Sequence, residues 1–257
     1  MRATDQSRRA RLPWHELTPA LVLATDLIPD PIAYLTCADV EVEGRMPWSS
    51  NATFLVTLHH DGADQQAIYK PVRGERPLWD FQPGLHRRER AAYLVSEHLG
   101  MGVVPPTVIR DGPFGEGSFQ WFVPADHSEH YFTIREKFPE LDDQMRDIAV
   151  LDVLINNTDR KSGHCLLALD RVWAIDNGLC FSAPSKLRTV IWEFGGDTVD
   201  DDVLARVASF VERVPVDVAA LLDDNEIAAV SYRATKLVTE RTFPVDDGNH
   251  RYPWPLV

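Results

Sequence analysis

NTDRKSGH, residues 157–164, follows the apolar run DIAVLDVLI and leads into CLLALDRVWAIDNG, residues 165–178. The eight residues gather an acid (Asp159), two bases (Arg160 and Lys161) and a histidine (His164). A second acid, Asp176, closes the next apolar run, just before Asn177-Gly178. The stretch is therefore either a phosphate-handling centre with a metal or a polar turn that joins a helix to a hairpin.

Working outward, residues 142–156 are predicted to be helical, and residues 165–176 two short strands around a turn at Asp170-Arg171. Downstream, Val199, Val203, Leu204, Val207, Phe210, Val211 and Val214 keep a 3.6-residue period, and residues 225–241 form a last helix. Upstream, residues 51–60 and 66–72 read as a strand pair around the turn at 61–64, followed by an irregular loop at 74–84. Residues 87–100 form a helix with Ala91, Ala92, Leu94, Val95 and Leu99 inward and Gly100 as its cap. Residues 103–112 and 117–123 form a second strand pair. A short helix is expected over residues 17–28, ended by Pro29 and Pro31. The expectation is an α+β, two-lobed chain forming one domain over 1–257. Its strand-rich N-lobe covers about 15–123, its helix-rich C-lobe about 131–245, and a loose polar arm 1–12. The tail, residues 243–257, packs across the C-lobe or meets a partner.

A chain of 257 residues suffices for such a domain, and 44% apolar with 25% charged residues is ordinary globular composition. The net charge of −13 argues against a nucleic-acid partner and, less strongly, against docking on an anionic bilayer. The three cysteines, Cys37, Cys165 and Cys180, have no zinc or redox spacing and suit a reducing cytoplasm. The run at 20–24 is too short for a signal peptide or a membrane span, so no integral membrane association is expected.

In a two-lobed chain with a nucleotide in the cleft, phosphoryl transfer needs a cation on the phosphates, carboxylate oxygens on a metal, and a group that orients the nucleophile. Lys70, in the strand AIYKPV, is the candidate cation, with Glu89 on the next helix as its acidic partner. The D-x-K-x-x-H spacing puts Asp159 near an attacking hydroxyl and Lys161 near the transferred group. Asp176, before a tight Asn-Gly turn, is aimed at Mg²⁺. Each residue also has a plain reading, as an edge lysine, a surface helix charge, a loop acid or a turn. Their order along the chain favours the functional one. Asp152, inside an apolar helix, is either buried against Arg160 or on an exposed face, and Asn157 is a candidate brace for the same loop. Arg73, Arg76, Arg87, Arg88 and Arg90 are candidate receivers of an anionic substrate. The tryptophans read mostly as core or hinge packing.

WSSNATFLV, IYKP, RERAAYLVSEHLG, GSFQWFV, NTDRKSGHCLL and WAIDNGLCF together resemble the phosphatidylinositol 3-/4-kinase superfamily over residues 45–185. The nearest likeness is to type II phosphatidylinositol 4-kinases and their bacterial relatives, and HipA-type kinases share the NTDR loop. The resemblance implies a protein-kinase-like fold that uses ATP with Mg or Mn. Ser49, Ser50 and Asn51 would cover the phosphates. Lys70 would contact them while paired with Glu89. Gln120, Trp121, Phe122 and Val123 would line the adenine pocket. Asp159, with Lys161 and Lys70, would be catalytic, and Asp176 would bind the metal.

One position departs from that pattern. His164 stands where the relatives usually have Asn as the second metal residue. It is a ligand for Mn²⁺ or another metal, or a phosphate donor, or the mark of a missing second metal. The expected function is ATP-dependent phosphotransfer in the cytoplasm, to a protein or soluble small molecule rather than lipid, since no palmitoylated cysteine-rich insert is present. The alternatives are a regulatory nucleotide-binding pseudokinase and an adaptor that kept the fold.

Overall fold

A computed structural model describes residues 28–256 apart from 48, 50, 169, 170, 249 and 250. The short helix expected over 17–28, the arm 1–12 and Ser50 lie outside the described residues, save for Ile28. Pro31 opens a helix that the sequence reading did not include. Helix α1 (Pro31–Cys37) has Asp30 as N-cap, accepting from Ala33 N at 2.9 Å, with Pro31 in the first turn, where a missing N–H costs nothing.

Five strands follow: β1 (Asp39–Arg45), β2 (Phe54–His60), β3 (Ala63–Pro71), β4 (Thr107–Gly112) and β5 (Gly115–Trp121). They form an antiparallel sheet in the order β1-β2-β3-β5-β4. On β3 the two-residue period buries Gln65, Ala67, Tyr69 and Pro71, so Lys70 projects from the opposite face. The face bearing Tyr69 packs with Tyr34 and Leu35 of α1 and with Val56, Leu58 and Phe119, forming the N-lobe core.

Helix α2 (Leu85–His98) follows the loop after β3 and is capped by Leu99 and then Gly100 at φ +62°. Its Ala91, Ala92, Leu94 and Val95 belong to the core of the C-lobe. That lobe comprises α3 (Tyr131–Lys137), α4 (Asp142–Ile155), the hairpin β6 (Cys165–Ala168) and β7 (Arg171–Ala174), α5 (Asp201–Glu212), α6 (Val216–Ala219) and α7 (Asp224–Glu240). The molecule is thus two-lobed and α+β, with α2 spanning both lobes. Among the described residues no helix is long and apolar enough to cross a membrane.

Three of the arginines read as anion receivers are structural. Arg88 is buried and ion-paired with Glu226 at the start of α7, Arg87 donates to Ala220 O at 2.9 Å, and Arg90 donates to Thr107 O. Two tryptophans, Trp79 and Trp254, lie on the surface rather than in the core, 95% and 88% exposed.

Glu226 also closes a capping box with Asp223, which accepts from Glu226 N at 2.8 Å. Glu226→Ala leaves the buried Arg88 charge without its partner and is expected to lower unfolding free energy by about 3–5 kcal/mol. Asp223→Ala removes only the cap and should cost about 1 kcal/mol. Urea unfolding of the two variants beside the parent checks the difference.

Candidate active site

The loop of residues 156–164 takes its shape from a buried ion pair. Asp152, on the last turn of α4, and Arg160 are both fully buried. Arg160 Nε donates to both Asp152 oxygens at 3.1 Å, and Nη2 donates to Oδ1 at 3.0 Å. The same carboxylate accepts from Asn157 Nδ2 at 3.0 Å and from Thr189 Oγ1 at 3.2 Å. Asn156 ends α4 in a left-handed conformation, φ +52°, which turns the chain sharply into the loop. Asn157 Oδ1 then accepts from Asp159 N at 2.9 Å.

Arg160 carries this order to the second acid. Its Nη1 donates to Ile175 O at 2.7 Å, and its Nη2 donates to Asn177 Oδ1 at 2.6 Å, bracketing Asp176. Asp176 sits at φ +58°, an uncommon conformation for a residue other than glycine, two residues past the end of β7.

Lys70 arrives from the other lobe. Its Nζ donates to Glu89 Oε1 of α2 and, at 2.7 Å, to Asp176 Oδ1. Glu89 Oε2 accepts from Asn177 N at 3.0 Å, so one α2 carboxylate holds the N-lobe cation and the C-lobe turn together. Burial alone would lower the Lys70 pKa, but Asp176 and Glu89 outweigh it and hold the ammonium well above its ordinary value. Lys70 in turn drives the Asp176 carboxyl far below the usual carboxylate range. Asp159 moves the other way, pushed up by burial and pulled back in part by Lys161, whose Nζ lies 3.0 Å from Oδ2.

His164 Nε2 lies 3.5 Å from Asp176 Oδ2, and burial pushes its pKa down to about 4, so the ring is neutral at neutral pH. Its buried Nδ1 has no hydrogen-bond partner among the described residues. Neutral imidazole is the form that binds metals. Among the described residues no three His, Cys, Asp or Glu side chains gather for a metal. The pair Asp176 and His164 therefore fits a divalent ion only when phosphate oxygens and water complete the shell, a habit of Mg²⁺ and Mn²⁺ in nucleotide sites.

The remaining candidates divide. The loop 46–53 between β1 and β2 lies at the Lys70 end of the sheet, where Phe54 pairs with Tyr69. Ser49 Oγ pairs with Thr53 Oγ1 at 2.7 Å, and Asn51 Oδ1 accepts from Arg76 N at 3.0 Å, so both side chains brace this loop. Ala52 approaches Gly74 so closely that a Cβ there would meet Ala52 Cβ at 2.5 Å. Gln120 points inward, donating to Thr107 Oγ1 at 2.9 Å. Trp121 N donates to Pro106 O at 2.8 Å and Phe122 N to Gln66 O at 3.1 Å, so neither N–H is available to a base. The N–H of Val123 has no hydrogen-bond partner among the described residues. Val123 clusters with Leu166 and Ala168 of β6 into a small apolar patch that joins the lobes.

Two further contacts tie loops to the C-lobe, the second of them in line with the expectation that the tail packs across it. Lys186 Nζ pairs with Asp80 Oδ2 at 3.1 Å and lies 5.3 Å from the Phe81 ring centre, latching loop 74–84 to the C-lobe. Ser162 N donates to Leu256 O at 2.8 Å, so the tail crosses the C-lobe at the Asp159 loop. No periodicity or motif signals either contact, because each joins loops distant in sequence.

No protein-family model matches the chain. Among solved structures it is similar to the Golgi casein kinase, with TM-score 0.51 and 16% identity over 90% of this chain and 79% of that one. The Golgi casein kinase with Mn/ADP bound gives TM-score 0.51 and 15% identity over 90% of this chain and 81% of that one. Hydra Fam20 with sugar gives TM-score 0.51 and 14% identity over 83% of this chain and 87% of that one. At such identities the likeness concerns the fold, which is that of the kinases. In sequence, Protein Rv2133c of Mycobacterium tuberculosis is 37% identical over 271 aligned residues, spanning 91% of this chain and 98% of that protein. The chain belongs to the same family as Protein Rv2133c.

Proposed function

We propose that the chain is an ATP-dependent phosphotransferase that works as one kinase-like domain in the cytoplasm. The observation that carries the reading is Lys70, held by Glu89 and Asp176 across the cleft, with Asp159 on the loop braced by the same Arg160 that brackets Asp176. A lone edge lysine or loop acid does not explain three convergent charges of this kind. The NTDR and AIDNG motifs support the finer placement among phosphatidylinositol 3-/4-kinase-like and HipA-like kinases. A solved kinase of this fold holds Mn/ADP, which supports nucleotide and divalent-metal use here.

In this reading Lys70 sits on the α- and β-phosphates, and loop 46–53 covers them, with Ser49, Ser50 and Asn51 in the covering turn. The adenine rests against Val123, Leu166 and Ala168, and its edge meets the free N–H of Val123. Asp176 and His164 would hold the metal, which would supply charge neutralisation on the phosphate oxygens. The acceptor hydroxyl oxygen attacks the γ-phosphorus as its proton passes to Asp159. The bond from the γ-phosphorus to the β–γ bridging oxygen breaks, and ADP leaves with that electron pair. Burial raises the proton affinity of Asp159, which suits it to this task. Lys161 faces the transferred phosphoryl group. The net charge of −13 favours a protein or soluble small-molecule acceptor over an anionic lipid surface.

His164 also motivates a second reading, a nucleotide-binding pseudokinase. Turnover of ATP, including self-phosphorylation, by the purified chain with Mg²⁺ and with Mn²⁺ separates the two. Asp159→Ala is expected to lower turnover by about 10²–10⁴-fold while nucleotide binding persists. Nucleotide binding without turnover in the parent and its variants, with and without dephosphorylated casein as acceptor, overturns the phosphotransferase reading and favours the pseudokinase. His164→Asn exchanges imidazole for an oxygen ligand and should move the preference from Mn²⁺ toward Mg²⁺. Calorimetric ATP binding with each metal reads that shift independently of turnover.

A further inference from the structure

Segment 251–256 lies along an edge built on the Asp159 loop. Arg160 N donates to Arg188 O at 3.1 Å, Val190 N donates to Arg160 O at 3.0 Å, and Arg188 N donates to Asn157 O at 2.8 Å. Thr189 thus runs parallel beside Arg160, one residue from Asp159. The outer side of this ribbon presents three donors to the segment. Thr189 N and Trp192 Nε1 donate to Arg251 O at 3.0 and 3.3 Å, and Ser162 N donates to Leu256 O at 2.8 Å.

All three bonds go to main-chain carbonyls, so the edge recognises a polypeptide backbone rather than a particular side chain. The segment itself is poorly rooted. Pro253 is buried, but Tyr252 and Trp254 are 45% and 88% exposed. Little apolar burial therefore opposes its release. A lipid headgroup finds few cations here, because Arg251 is paired with Asp247 at 2.6 Å and Lys186 with Asp80.

We propose that the Ser162–Thr189–Trp192 edge is the docking track for an extended polypeptide acceptor, and that segment 251–256 is its tethered occupant in the resting chain. The proposal rests on the phosphotransferase reading for the word acceptor, and on the contacts alone for the track. A protein acceptor displaces the segment and lays its own backbone on the same donors, which brings a serine, threonine or tyrosine hydroxyl alongside the Asp159 loop.

The test uses the full chain carrying Pro253→Gly and Pro255→Gly, which loosens the segment by enlarging its unbound ensemble. Amide exchange at Ser162 and Thr189 is expected to quicken by about tenfold. A fluorescent synthetic peptide of sequence RYPWPL should bind the loosened chain severalfold more tightly than the parent. It should compete with dephosphorylated casein and not with ATP. Unchanged exchange at both amides, or no binding of peptide or casein to the loosened chain, overturns the proposal. ATP turnover is scored separately: peptide and casein binding without turnover in any variant sinks the phosphotransferase reading and leaves the track in place.

Discussion

The geometry of the cleft depends on one buried ion pair, Asp152 with Arg160. Removing both charges from water carries a desolvation penalty of several kcal/mol per ion unless every polar atom is recovered in hydrogen bonds. Recovery here is nearly complete. The carboxylate accepts from Arg160, Asn157 and Thr189, and the guanidinium donates to Asp152, His164 O, Ile175 O and Asn177. Those partners lie on four separate pieces of chain. The pair consequently sets the position of the Asp159 loop, the Asp176 turn and the 188–190 ribbon at once. A hydrophobic pair of equal volume would fill the space without directing any of them.

Helix α2 performs the corresponding task between lobes. Its apolar side belongs to the C-lobe core, while Glu89 reaches Lys70 on the N-lobe sheet and Asn177 N at the C-lobe turn. Displacing α2 would break both contacts of Glu89 together. Lys70 also neutralises Asp176, so the two lobes are coupled by charge as well as by packing. The arginines flanking Glu89 hold this helix to α7, the C-lobe and β4.

Much of the arrangement was legible in the residue order. Period-two burial on β3 directs Lys70 away from Tyr69, and the 3.6-residue period places Glu89 where a strand lysine can meet it. The pairing of Asp152 with Arg160 was one of two open readings, because an acid within an apolar helix faces either way until its partner is known. Helix α1 and strand β1 have no strong signal in the residue order, since a proline starts a helix from its first turn as readily as it stops a preceding one. The expected hinge was only partly available, since the sheet already uses the N–H groups of Trp121 and Phe122.

Most local elements and the candidate charged residues follow from residue order alone, because propensity, capping and hydrophobic period act over a few positions. Which charges are spent and which face the cleft emerges from packing. Arg88 and Arg160 are both basic residues next to acids in sequence, yet each is consumed by a partner brought in from another element. The same holds for residues 251–256, whose place beside Asp159 rests on main-chain bonds that no side-chain pattern encodes. Burial of a charge and its pairing are properties of the packed whole. The energy of each group depends on neighbours that folding brings together across tens of residues.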